Sequence, residues 1–136
     1  MNPKALALQE RTHKFFTRVT RLCERLPETP ATGSIRRQLI ASAGSTDSNY
    51  RGACRARSPD EFIAKIGVAA EEADESYGWL AALQARAYGD GDETNALMQE
   101  ANELTAIFTA SQKTARRRRA ERLEQERRDR RLRQGR

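Results

Sequence analysis

The chain has 136 residues, 38% hydrophobic and 32% charged, with a formal net charge of +6. That length allows one domain and an appendage, and no stretch approaches the ~18 apolar residues of a membrane span, so no membrane partner is expected. The charge is uneven: residues 113–136 hold 12 Lys and Arg against 4 Asp and Glu, net +8, and the rest hold 13 against 15, net −2.

The opening MNPKALALQERTHKFF lacks an apolar run followed by a small-residue cleavage site, so no signal peptide is expected and the location is expected to be cytoplasmic. A first helix is predicted from about Pro3 to Leu26, with Leu8, Phe15, Val19, Leu22 and Leu26 on one face. Pro27-Glu28-Thr29-Pro30 should end it, and Gly33 complete the break. Ser34 is the expected cap of a second helix over Ile35–Ala56. Its inward stripe, Ile35, Leu39, Ser42, Thr46, Asn49 and Ala53, starts apolar and turns polar halfway. Gly44 and Gly52 each cost a helix interior about 1 kcal/mol relative to Ala, which points to another backbone packed against them.

Ser58-Pro59-Asp60-Glu61 reads as a capping box with proline at the first helical position. The third helix should run to about Arg86, with Phe62, Ile66, Ala69, Ala73, Ser76, Leu80 and Leu83 inward. Tyr88-Gly89-Asp90-Gly91-Asp92 is a turn, with Asp92 the expected cap of a fourth helix facing inward through Leu97, Ala101, Leu104, Phe108 and Ser111. The fold class is therefore all-α: an antiparallel up-down-up-down four-helix bundle over residues 1–112 with a basic C-terminal extension over 113–136. The extension has only Leu123 and Leu132 as large apolar residues and no proline. Favourable pairs at Glu124–Arg128, Glu126–Arg130 and Asp129–Arg133 support a frayed helical continuation, with disorder the alternative.

Catalytic and metal constellations are missing from the pattern. A di-iron site in a bundle needs Glu-x-x-His on two helices, and the only histidine, His13, lies far from Glu72-x-x-Glu75. No serine or cysteine has an activating histidine in reach, so no enzyme, metal or cofactor is expected. Cys23 and Cys54 have no metal spacing and read as reduced. Ser42, Ser45 and Asn49, with Glu72 and Glu75 on the next helix as acceptors, are expected to form a structural polar network that sets helix register, with a ligand pocket as the alternative. Arg51 and Arg55 are expected to pair with acids of the third helix. In the tail, Arg116, Arg117, Arg118, Arg119, Arg127, Arg128, Arg130, Arg131 and Arg133 are the candidate nucleic-acid contacts. Arginine binds phosphate with bidentate geometry. A tail without aromatics offers no stacking platform and would bind backbone rather than read sequence.

The run Arg37-Gln38-Leu39, Ser42-Ala43-Gly44-Ser45, Asn49-Tyr50-Arg51, Ala53-Cys54-Arg55-Ala56, Ser58, Asp60, Phe62, Lys65, Glu72, Asp74-Glu75 and Trp79-Leu80 resembles the bacterial four-helix-bundle family named for proteins encoded in intervening sequences of 23S ribosomal RNA genes. The resemblance covers about Phe15 to Phe108. It implies a homopentamer without established enzymatic activity. A family of similar fold, the accessory variability proteins of diversity-generating retroelements, implies nucleic acid and a reverse transcriptase as partners. This chain departs from the pattern at Gly52, where Glu is usual, and in its Arg-rich tail. The resulting expectation is a non-enzymatic oligomer binding RNA or DNA electrostatically. The alternative is a homo-oligomeric scaffold or accessory subunit for another protein.

Overall fold

A computed structural model describes residues 2–135. It contains helices α1 (Pro3–Glu24), α2 (Pro30–Cys54), α3 (Pro59–Ala85) and α4 (Gly91–Gln134), with no strand among the described residues. Proline opens each of the first three helices, where its missing N–H is not needed. Asn2, Thr29 and Ser58 stand before those prolines and cap the first free N–H groups.

The helix starts correct several sequence expectations. Helix α2 begins five residues before Ile35, because Thr29, not Ser34, is its cap. Thr32 N donates to Thr29 Oγ1 at 3.1 Å and Thr29 N to Thr32 Oγ1 at 2.9 Å. That reciprocal box makes Pro30 an opener rather than a breaker, and Gly33 lies inside the helix. The box expected at Ser58 is half made. Ser58 Oγ accepts from Glu61 N at 3.1 Å, but the Glu61 carboxylate accepts from Arg57 N at 3.0 Å. Asp90, not Asp92, caps α4, accepting from Asp92 N at 3.0 Å and Glu93 N at 3.1 Å. The turn before it places Ala87 (φ 53°) and Gly89 (φ 79°) in the left-handed region. Helix α1 ends at Glu24, two residues short of Leu26, which is buried in the connection.

Contacts between neighbours run antiparallel around the bundle. Arg11 meets Glu100 while Arg18 meets Glu93, Thr12 meets Asp47 while Cys23 meets Arg36, Ser42 meets Ser76 while Gly52 faces Lys65, and Ile63 meets Gln112 while Asp60 meets Arg119. Each helix packs on the next, and α4 returns to α1, with α1 touching α4 least. The core joins Phe15, Val19 and Leu22 of α1 to Leu39 of α2, Ile66, Leu80 and Leu83 of α3, and Leu97, Leu104 and Phe108 of α4. Each such side chain contributes about 1.5–3 kcal/mol on burial. Buried Ala43, Ala53, Ala69, Ala73 and Ala101 keep α2, α3 and α4 close. The glycines of α2 are explained by side chains rather than by backbone. A Cβ on Gly44 would stand 3.2 Å from the Phe16 ring, and one on Gly52 would stand 2.9 Å from the Lys65 stem.

Helices α1 and α2 share a buried charge. Asp47 is 2% exposed. Its carboxylate accepts from Thr12 Oγ1 at 2.9 Å and lies 3.2 Å from His13 Nδ1 and 3.6 Å from Arg51. Thr12 is the one fully buried donor in that set. A hydrogen bond to a charged group contributes about 1.5–3 kcal/mol. Thr12→Val should therefore cost about 2 kcal/mol in a urea melt. A loss under about 0.5 kcal/mol would mean that Arg51 and His13 suffice to hold the carboxylate.

Candidate nucleic-acid interface

Helix α4 does not stop where its apolar seam ends. It runs unbroken to Gln134, so the segment from Lys113 to Gln134 is a helical arm about 33 Å long. Its root is anchored on α3. Gln112 Nε2 donates to Ile63 O at 3.1 Å, passing over Gly67, whose missing Cβ leaves room for the amide. Further along, Arg119 pairs with Asp60. From Ala120 onward, the hydrogen bonds and ion pairs of the described residues lie within α4 itself. Arg116, Arg117, Arg118, Arg127, Arg128, Arg130, Arg131 and Arg133 lie on this arm, most of them exposed, and Arg119 stands beside Asp60.

Of the three expected pairs along the arm, Glu124–Arg128 forms at 3.6 Å. Arg117 pairs with Glu121 at 3.8 Å. Asp129 accepts from Gln125 at 3.0 Å, and neither Glu126–Arg130 nor Asp129–Arg133 closes into an ion pair among the described residues. At about 100° per residue, Lys113, Arg116, Arg127, Arg130 and Arg131 fall in one sector about 100° wide that contains none of the arm's acids. That sector is centred about 110° around the helix from the seam of Leu97, Leu104 and Phe108, beside the core face rather than on it.

The polar stripe of α2 is arranged differently from the sequence expectation. Ser42 is buried and donates to Leu39 O at 3.2 Å, and Ser76 Oγ of α3 lies 2.9 Å from Ser42 Oγ. Thr46 donates to Ser42 O at 2.8 Å. Asn49 turns back onto its own helix, donating to Ser45 O at 2.9 Å and Ser45 Oγ at 3.0 Å rather than to a carboxylate of α3. Glu75 is exposed, its Oε1 3.5 Å from Trp79 Nε1, and stands apart from the stripe. No buried side-chain nitrogen or oxygen among the described residues lacks a partner. The stripe is thus satisfied mainly by helix carbonyls, with Ser42–Ser76 and the Ser45 hydroxyl beside the Glu72 carboxylate as its links to α3.

Glu72 is half-buried in the α2–α3 groove. Burial first, then the carboxylates of Glu75 and Glu71, push its pKa above the usual glutamate value, against the opposing influence of the Ser45 hydroxyl. A folded-state pKa above the unfolded one means that folding favours the protonated form, so Glu72 weakens the fold as pH rises through that range. Glu72→Gln should raise stability at pH 7 by about 0.5 kcal/mol or less, on the scale of a surface substitution. The gain should vanish once pH falls below the ordinary glutamate value. Equal gain at pH 3 and pH 7 would remove charge as the cause.

Ion pairs across the bundle are expected from Arg51 and Arg55 to α3. Instead Arg51 faces Asp47 on its own helix, and Arg55 forms none among the described residues. Arg36 donates to the carbonyls of Cys23 at 2.9 Å and Leu26 at 3.3 Å, closing the end of α1. Besides Arg119–Asp60 and His13–Asp47, the pairs that cross between helices are Arg11 with Glu100 (2.6 Å) and Glu103 (3.0 Å), and Arg18 with Glu93 (2.6 Å). Partners this far apart along the chain leave no local signal, and the sequence reading misses them, as it misses Asp47. Cys23 is buried, which pushes its thiol pKa up to about 11, and Cys54 is also free. Among the described residues no three His, Cys, Asp or Glu gather closely enough to hold a metal. No described helix is long and apolar enough to cross a membrane.

No curated protein matches this chain. Among solved structures it is similar to a protein of unknown function from the S23 ribosomal protein family of Bacteroides thetaiotaomicron. The two are 24% identical with a TM-score of 0.73 over 81% of this chain and 98% of that one, which establishes the common fold. The family model described as 23S rRNA-intervening sequence protein matches residues 4–110, nearly all of α1 to α3 and α4 to the end of its apolar seam. The chain therefore belongs to the 23S rRNA-intervening sequence protein family, and carries beyond the matched region an arginine-rich helical arm.

Proposed function

We propose that this protein is a non-enzymatic, homo-oligomeric RNA-binding bundle that grips phosphates through the arm of α4. The observation that carries the reading is the segregation of charge. The whole basic excess of the chain sits on a largely solvent-exposed helical arm. The family's link to 23S rRNA intervening sequences supports RNA over DNA. Assembly into a ring of five, the expectation from the family resemblance, would present several arms at once and raise avidity without a strong single contact.

The test is binding of the full chain and of a chain ending at Gln112 to structured RNA and to duplex DNA across a salt series. The shortened chain keeps every buried core residue, the last of which is Phe108. The full chain should bind RNA with a steep negative salt slope, and the shortened chain should not. Absence of binding by the full chain at low salt rejects the reading. Sedimentation of the same samples checks the oligomer.

One observation favours a second reading, a scaffold or accessory subunit for another protein such as a reverse transcriptase. An open groove of about 680 Å³ lies where α1 begins, lined by Leu8, Tyr50, Cys54, Phe62 and Ile107 among others. Protein capture that persists at high salt and is lost on Phe62→Ser would support it.

A further inference from the structure

The charge of the arm is not uniform along its length. Residues 113–119 carry Lys113 and Arg116 to Arg119 with no acid. Residues 121–126 carry Glu121, Glu124 and Glu126 around the single Arg122. Residues 127–133 carry five arginines and one acid, Asp129. Two basic clusters therefore flank an acidic midsection on one continuous helix. Their centres lie about 12 residues, or roughly 19 Å, apart. Within the acid-free sector the midsection offers only Ala120 and Leu123.

A single strand running along the acid-free sector would pass over Ala120 and Leu123, where no cation meets its phosphates and the carboxylates of Glu124 and Glu126 flank its path. Two separate phosphate ridges avoid that encounter. A double helix has two such ridges, with a groove between them. The roughly 19 Å spacing exceeds the opening of about 12 Å of a B-form major groove, so each cluster would rest on a rim. In A-form RNA the major groove is too narrow to admit a helix, while the minor groove is wide and shallow. A rod laid across the minor groove reaches backbone on both sides.

We infer that the arm prefers double-helical to single-stranded RNA: it bridges two phosphate ridges through Arg116–Arg119 and Arg127–Arg133, and the cation-free midsection, flanked by Glu124 and Glu126, opposes a continuous single strand. The inference rests on the proposed RNA-binding function and adds the class of RNA. Paired RNA is recognised by shape and backbone rather than by sequence, which suits an arm without aromatics.

The experiment compares the full chain on a blunt 20-base-pair RNA duplex and on an unpaired pyrimidine-only RNA of equal length at 0.1 M salt. The parallel variant is Glu121→Gln/Glu124→Gln/Glu126→Gln, confined to exposed residues outside the core, with helicity checked by circular dichroism. The parent should prefer the duplex by at least about 10-fold, and the variant should bind the single strand at least about 10-fold more tightly than the parent does, closing the gap. Binding of both RNAs with equal affinity by the parent overturns the duplex inference and leaves the RNA-binding reading standing. An undiminished duplex preference in the variant overturns the role of the midsection. Binding of neither RNA rejects both readings together.

Discussion

Replacing Arg127, Arg128, Arg130, Arg131 and Arg133 together with Gln is expected to weaken RNA binding at 0.1 M salt by about 500- to 30,000-fold. The magnitude follows from counterion release. Each arginine that neutralises a phosphate contributes about 0.9 to the slope of log affinity against log salt on a duplex, hence up to about 0.9 decade at 0.1 M relative to 1 M. Three to five such phosphates give the range stated. The salt slope should become shallower by about one unit for each phosphate no longer neutralised, and this measurement separates phosphate binding from indirect damage. Stability should barely move. These side chains lie outside the core, and among the described residues only Arg128 of the five is ion-paired, with Glu124 at 3.6 Å. A surface pair contributes at most about 1 kcal/mol. A variant that binds RNA as the parent does would remove the distal cluster from the interface.

Phe108→Ala is expected to cost about 3–5 kcal/mol, a large part of the 5–15 kcal/mol that holds a typical domain together. Phe108 is fully buried near the end of the α4 seam, and its ring stacks on Tyr50 of α2, centroids 5.3 Å apart and planes 22° from parallel. The pair is a side-chain link across the bundle diagonal, between helices whose backbones do not pack together. Truncation deletes apolar area and the stacking interaction and leaves a cavity beside Tyr50, which is itself hemmed in by the core. Urea denaturation would read the loss as a lower midpoint. Phe108→Leu should keep most of the stability, since it refills much of the volume. A loss below about 1 kcal/mol for the alanine variant would show that α2 collapses into the space, contrary to the expected cost of an aromatic truncation.

What can be read from the residues, and what cannot, divides along physical lines. The inner faces of α3 and α4 are legible because Ile66, Ala69, Ala73, Ser76, Leu80 and Leu83, and Leu97, Ala101, Leu104 and Phe108, repeat at helical spacing and are all buried. Phe62 and Ser111, at the ends of those seams, are only half-buried because the bundle opens there into the groove beside α1. The start of α2 is easily misread because proline both ends and begins helices. Only the reciprocal Thr29–Thr32 pair shows which role Pro30 plays. Glu72 and Glu75 look equivalent as acceptors for the stripe, yet Glu72 tilts into the groove and Glu75 faces solvent, although they stand only three residues apart on one helix. Nothing in the sequence around Asp47 marks it as buried. Its burial depends on Thr12, which lies 35 residues away in sequence, and no local pattern reports that. In the arm, the arginines are legible as a cluster. Their helical continuation from α4 is legible too, from the missing proline and the i,i+4 spacing of Glu124 and Arg128, whereas the anchors of its root, Gln112 on Ile63 and Arg119 on Asp60, leave no local pattern.

The attachment of α1 has a consequence for how the molecule opens. Along α4, α1 is joined through the shared core and by the ion pairs of Arg11 and Arg18, and its first two turns, with Leu6 about half exposed, bury little. Raising ionic strength from 0.1 M to 1 M shortens the Debye length from about 10 Å to about 3 Å and loosens partly exposed pairs of this kind. Amide protons of α1 should therefore exchange with deuterium earlier than those of α3, and the interval between the two should widen as salt is added. A solution that strips RNA from the arm would, by the same screening, bring α1 closer to release. The loss of ligand and the first step of unfolding would then share one control, the concentration of small ions.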